Sequence, residues 1–307
     1  MRPILFLFAL LLAACEMPEV APPSVTPEPR PVRARPAPPP PGPSLDLARY
    51  YRGVQEGLVA RGLLRTDGGG PDTPFDADDL VRNFERIALF EEYATVGGRI
   101  VALETESQVH KWVEPVRIEL EVGAGVDPAK AARDRAAVEA YAERLAAVSR
   151  HPIRTVASNG NFHVLILTED DRRAIGPRLA RMIPGISKAA VETVVDLPRQ
   201  NYCLVFALDR VGTGVYTQAV AVIRAEHPEL LRLSCIHEEI AQGLGLSNDS
   251  PLARPSIFND DEEFGLLTTH DEYLLRILYD PRIRPGMSGD EALPIVREIA
   301  YEILPAS

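Results

Sequence analysis

The chain has 307 residues, 46% of them hydrophobic, and sets 33 Lys and Arg against 44 Asp and Glu for a formal charge of −11. That is enough apolar chain to bury a sizeable core. The arginines are scattered along the chain with no basic stripe, so nucleic acid and anionic membrane surfaces are excluded as electrostatic partners.

The first residues, Met1-Arg2-Pro3, carry one positive charge and lead into the apolar run Ile4 to Leu12 and the small-residue ending Ala13-Ala14. This has the make-up of a secretory signal and is too short to span a bilayer. Leu12-Ala13-Ala14-Cys15 resembles the lipobox of bacterial lipoproteins, which implies cleavage after residue 14, a lipid on Cys15 and attachment to a membrane through several acyl chains. Glu16 follows, where an inner-membrane retention signal has Asp, so the resemblance favours the outer membrane and a periplasmic-side position in the cell envelope.

Twelve of the 28 prolines lie between Pro18 and Pro43, with no apolar periodicity around them. Residues 15–43 are therefore expected to be a disordered tether after the lipidated cysteine, reaching up to about 80 Å if extended as polyproline II. An exported domain stands in an oxidising compartment. With Cys15 used for lipid, Cys203 and Cys235 are expected to form a disulfide, the alternative being two buried thiols that never meet.

Leu47, Tyr51, Val54, Leu58 and Val59 fall on one side of a helix predicted over Leu45 to Leu64, which Asp67-Gly68-Gly69-Gly70-Pro71 ends. A second helix is expected over Asp76 to Glu92, and residues 44–95 read as a small helical cap on a main domain of residues 96–307. Glu114 to Gly123 alternates apolar and charged residues as a half-buried strand does. Asp127 and Pro128 start a long helix ending near Val148. A strand Phe162 to Leu167, a helix Asp170 to Met182, and a hairpin of Tyr202 to Leu208 with Val215 to Ile223 follow. Pro228 opens a helix ending at Gly243 or Gly245. An irregular stretch, Leu246 to Gly265, leads to a last helix, Leu267 to Tyr279, capped by Thr268 or Thr269. Trp112 is expected to anchor the core.

The densest polar cluster is His237-Glu238-Glu239-Ile240-Ala241-Gln242-Gly243-Leu244-Gly245-Leu246-Ser247-Asn248-Asp249. It resembles a degenerate zinc-protease motif of the metzincin type. Aligned on Gly245, the resemblance puts Glu238, Gln242 and Asn248 at the three ligand positions and Glu239 at the general base. Ser256-Ile257-Phe258 stands where such enzymes have a methionine turn, and Leu267-Thr268-Thr269-His270-Asp271 looks like their C-terminal helix. The stretch from Cys235 to Met287 is similar to an uncharacterised bacterial lipoprotein family known as a domain of unknown function. The fold implied is α+β and zincin-like: a mixed sheet with long helices on one side, an active-site-type helix and a C-terminal helix, with Val215 to Ile223 as the substrate-side edge strand.

Zinc sites use imidazole, thiolate and carboxylate, whereas Gln242 and Asn248 offer neutral amide oxygens that suit harder ions. No metal or other cofactor is expected; zinc or calcium is the minor alternative. His237 points about 100° away from the face that carries Glu238 and Gln242. His270 and Asp249 are secondary candidates, His270 equally suiting a helix start beside Asp271. Glu238 and Gln242 equally suit a mutual hydrogen bond, and Glu239 either a catalytic base or a carboxylate held in a polar network. The reading is a lipid-anchored, non-catalytic protein that binds a polypeptide or envelope component. Its rival is an active hydrolase that uses Glu239 as base with a non-standard metal site.

Overall fold

The computed structural model describes residues 43–96, 99–210 and 212–305. The expected signal, the lipid site at Cys15 and the tether as far as residue 42 lie outside these. The chain runs through α1 (Pro43–Ala60), α2 (Ala77–Ala88), β1 (Phe90–Val96), β2 (Arg99–Glu106), β3 (Lys111–Trp112), β4 (Val116–Val122), α3 (Pro128–Ser149), β5 (Ile153–Val156) and β6 (Phe162–Leu167). It continues through α4 (Glu169–Ala174), α5 (Gly176–Met182), α6 (Lys188–Val195), β7 (Cys203–Asp209), β8 (Val215–Arg224), α7 (Glu229–Gln242), α8 (Thr269–Leu278) and α9 (Gly289–Ile303). No helix among the described residues is long and apolar enough to cross a membrane.

The fold is mixed α+β. Six strands form one sheet in the order β3-β8-β6-β4-β5, with β7 added against β8. All pairings are parallel except β7 with β8, which is antiparallel. Parallel strands inside a sheet need both faces covered, and β6 and the second half of β8 are accordingly apolar at nearly every position, whereas β4 alternates apolar with charged residues. Ile118, Phe162, Val164, Ala219, Ala221 and Ile223 turn to a core shared with Val138, Tyr141 and Leu145 of α3 and Ile236 and Ile240 of α7. Leu165, Leu167, Val220 and Val222 turn the other way, onto Ile175, Leu179 and Val194 of the short helices α4 to α6.

The order of pairing corrects the expected edge strand. Val215 to Ile223 lies inside the sheet, with Ala219 to Ile223 bonded to β6 on one side and to β7 on the other. The edge is β7. Ala219-Val220-Ala221-Val222-Ile223 is an unbroken apolar run, the pattern of a strand buried on both faces.

Helix starts follow their caps. The side chains of Asp76, Thr268 and Ser288 each accept from the backbone N–H three residues on, and each of these residues donates its own backbone N–H to the side chain there; Asp127 caps α3 at Lys130 with Pro128 in the first turn. Two expected helices are shorter than the spacing suggested. The Asp170 to Met182 segment breaks into α4 and α5 at Ile175-Gly176-Pro177, where Pro177 has no N–H to continue the helix. The Asp76 to Glu92 segment leaves the helix at Ala88, and Phe90 begins an antiparallel hairpin with β2. That hairpin connects α2 to a contact with α6.

Candidate functional site: an acidic cleft beneath the edge strand

A cleft of about 720 Å³ runs along β7, with α7 on its opposite side, β1 along one wall and the loop from Ser247 to Glu262 along another. Leu204 to Leu208 give it an apolar wall. Eight carboxylates line the rest: Glu91, Glu92, Asp209, Glu238, Glu239, Asp249, Asp260 and Glu262. Among the described residues no Lys or Arg lines the cleft, and His110 is the one histidine that does.

The walls are fixed by strong local constraints. Cys203, the first residue of β7, is disulfide-bonded to Cys235 of α7, with Cα atoms 5.9 Å apart. Below the cleft, Trp112 donates from its indole N–H to the Gly243 carbonyl over 2.8 Å, and a Cβ on Gly243 would run into the Phe162 ring. Gly245 turns the chain out of α7 at φ +120°, against the His110 carbonyl, where no side chain fits. These two glycines let the chain fold back so that Asp249 returns to α7.

The convergence of acids sets their proton affinity. Glu239 is 3% exposed, and its Oε2 has no hydrogen-bond partner. Burial, then repulsion from Glu92 and Asp249, raises its carboxyl well above the usual carboxylate range. Burial and the neighbouring acids act the same way on Glu238, with Asp249 and Glu239 the strongest of those neighbours, and on Asp249, with Glu92 and Asp260. Glu262 is pushed up to about 7 by burial and by Asp260 and Asp261, from a backbone in the left-handed region at φ +61°. Such a strained non-glycine residue persists only where its surroundings over-determine it. Burial and Asp260 raise Glu92, while the Tyr93 hydroxyl opposes the shift.

Of the residues singled out from sequence, Glu238, Glu239, Gln242 and Asp249 all line the cleft. Gln242 donates from Nε2 to Asp249 Oδ1 over 2.9 Å. Asn248 does not join them. Its backbone N–H bonds the Ile87 carbonyl, and its amide donates to the Arg86 carbonyl and to Glu104, tying the loop to the end of α2. His237 faces the other way, stacked on Tyr141 with ring centroids 3.9 Å apart and accepting from Leu267 N–H at Nδ1. Burial, with Arg144 adding to it, lowers its pKa to about 3, so it stays neutral. His270 is fully buried at the start of α8, 3.0 Å from the Asn83 amide and edge-on to Phe75, and is not among the lining residues.

Glu91, Glu92, Tyr93, His110, Asp209 and Glu262 belong to the site without having been marked by any motif. His110 stands 3.8 Å from both Glu91 and Asp209 and stacks on Tyr216. The signal available for the first three was Gly97-Gly98, a hairpin turn sequence that would have placed Glu91 to Tyr93 on a strand.

A family model described as a protein of unknown function, DUF2927, matches residues 77–298, from the start of α2 into α9. The chain belongs to this family, and the match takes in every lining residue of the cleft. No curated protein matches. No solved structure matches either.

Proposed function

We propose that this protein is lipid-anchored through Cys15 in the cell envelope, on the periplasmic side and at the outer membrane, and that its domain binds an extended polypeptide of the envelope without cutting it. The observation that carries the reading is the free edge of β7 lying along a cleft. An edge strand presents unpaired backbone N–H and C=O groups, and an extended segment that pairs with them gains main-chain hydrogen bonds while its side chains sort into the cleft.

The zincin-like part of the reading rests on chain order. A parallel sheet carries one antiparallel edge strand, and the next helix brings the Glu238 to Gln242 segment beneath it. The three ligand-position residues do not fit zinc. Gln242 is engaged with Asp249, and Asn248 is held at α2. Among the described residues no three His, Cys, Asp or Glu side chains are grouped as a metal ion needs. The hydrolytic alternative draws on one observation, the buried and unpartnered Oε2 of Glu239, which is placed to take a proton.

The test uses a photo-crosslinking residue placed in turn at Val205, Phe206, Ala207 and Leu208 in the full chain expressed in its native envelope. Strand addition predicts polypeptide adducts whose yield alternates from one position to the next, and no such adducts from Arg154 on the opposite edge strand, β5. Peptide or casein turnover that vanishes in Glu239→Gln would establish the hydrolase instead. Labelling with a radioactive fatty acid, retained by the parent chain and lost in Cys15→Ser, checks the anchor.

A further inference from the structure

We infer that the cleft is a receptor for a basic side chain, a guanidinium or ammonium group carried by an extended polypeptide paired along β7; this rests on the polypeptide-binding reading above and names its ligand chemistry. Elsewhere in this molecule the buried carboxylates accept hydrogen bonds from partners built into the fold: Asp271 takes the Ser256 and Thr268 hydroxyls and the Ile257 N–H, Glu226 takes the Ser44 hydroxyl and the Glu169 N–H, and two others meet a guanidinium. Asp134 Oδ1 is 2.7 Å from Arg232 Nε, and Glu169 is bonded to Arg172 and Arg224. The less enclosed Glu263 meets Arg65 and Arg254.

The cleft breaks that pattern. Its carboxylates face one another from β1, β7, α7 and the loop beyond α7, yet among the described residues no Lys or Arg lines the space between them. Burying like charges together is costly, and a partner cation removes the cost. The second, independent mark of a ligand is Glu239, which is 3% exposed and lines the cleft; Asp134 and Glu226 each have one oxygen bonded and one free, whereas the Glu239 carboxyl accepts no hydrogen bond at either oxygen among the described residues. A buried acceptor left unsatisfied costs about 1–3 kcal/mol, more when it is charged, so its retention calls for a donor.

Shape distinguishes an organic cation from a metal ion. The acids line the length of the cleft, and among the described residues no three His, Cys, Asp or Glu side chains are grouped as one ion needs. The slot also has an apolar wall at Val205 and Ala207, the β7 residues that turn to the α7 side, suited to the methylene stem of Lys or Arg. Tyr93 adds an aromatic ring of the kind on which a cation rests favourably. A guanidinium, with five N–H donors in a plane, satisfies several carboxylate oxygens at once.

The test is calorimetric titration of the full chain with four probes. They are a seven-residue peptide of alternating threonine and valine with one central arginine, its twin with norleucine at the centre, agmatine, and calcium or zinc chloride. The expected result is binding of the arginine peptide at least tenfold tighter than the norleucine peptide, with that advantage lost in Glu239→Gln and in Asp249→Asn. Melting curves confirm that both variants are folded. Equal binding of the two peptides overturns the cation receptor and leaves strand addition standing. Agmatine binding that depends on Glu239, with neither peptide bound, keeps the cation receptor and removes the polypeptide. A metal ion that binds stoichiometrically and displaces the arginine peptide, or no binding by any probe, overturns the inference.

Discussion

The Gln242 amide nitrogen lies 2.9 Å from Asp249 Oδ1 and is the one side-chain donor that reaches this carboxyl among the described residues. The bond spans the turn at Gly245 and holds the acid against the helix that carries Glu238 and Glu239. Replacing Gln242 with Leu keeps the bulk and removes the donor, leaving Asp249 half-buried and without that partner. A loss of about 1–3 kcal/mol is expected, read as a lower urea midpoint with unchanged slope. A variant as stable as the parent would show that water or another group satisfies Asp249.

Acid clustering gives a stability signature with a definite sign. Glu262 titrates at about 7 in the folded chain against about 4.5 when unfolded. The folded state therefore binds the extra proton between these values, and its contribution is full below about pH 4.5 and lost as pH rises through 7. Glu262→Gln imitates the protonated acid. It should melt with the parent at pH 5 and above the parent at pH 8.5. Identical melting curves at both pH values would mean that Glu262 carries no such shift. His227 and His237, both buried and both lowered chiefly by burial, act in the opposite direction, so their stabilising contribution is lost as pH falls below about 6.5. The Glu262 effect is accordingly read as a difference between variant and parent.

The disulfide closes a loop between residues 32 apart in sequence. In the chain-entropy model such a loop is worth about 4 kcal/mol. The double variant Cys203→Ser, Cys235→Ser should unfold at correspondingly lower guanidinium, and adding reductant should bring the parent to the same midpoint while leaving the variant unchanged. Two freely alkylated thiols in the native protein would contradict the bond itself.

Gly245→Ala joins a left-handed backbone position to a collision with the His110 carbonyl. The expected cost is about 3 kcal/mol or more. Gly212→Ala serves as the control, because it shares a positive φ but has open space around it. Equal losses in the two would assign the effect to backbone conformation alone.

Much of the fold is legible in the residues because it is written locally. Asp127-Pro128 marks the start of α3, Thr268 that of α8, and the alternation of Val116 to Val122 marks β4. The hairpin of β1 and β2 is not, since Phe84, Ile87 and Phe90 continue a helical spacing that only tertiary contacts interrupt. Four-residue β5 and eight-residue α6 are too short for periodicity to declare them. Spacing alone placed Glu238, Glu239 and Gln242 together, being neighbours on one helix. Glu92, His110, Asp209 and Glu262 come from four other segments, and nothing in a linear pattern brings them to that helix. The edge position of β7 depends on which strands pair, though the continuous apolar run of β8 already favoured an interior place.

The link between Cys203 and Cys235 joins the start of the edge strand to the middle of the helix beneath it. One covalent tie thus spans the cleft from rim to base, so its width is set by chemistry as well as by packing. Maturation of the groove becomes an event in time: a newly made chain acquires its fixed aperture only once an electron acceptor has visited it, and any reductant that later reaches those sulfurs relaxes it.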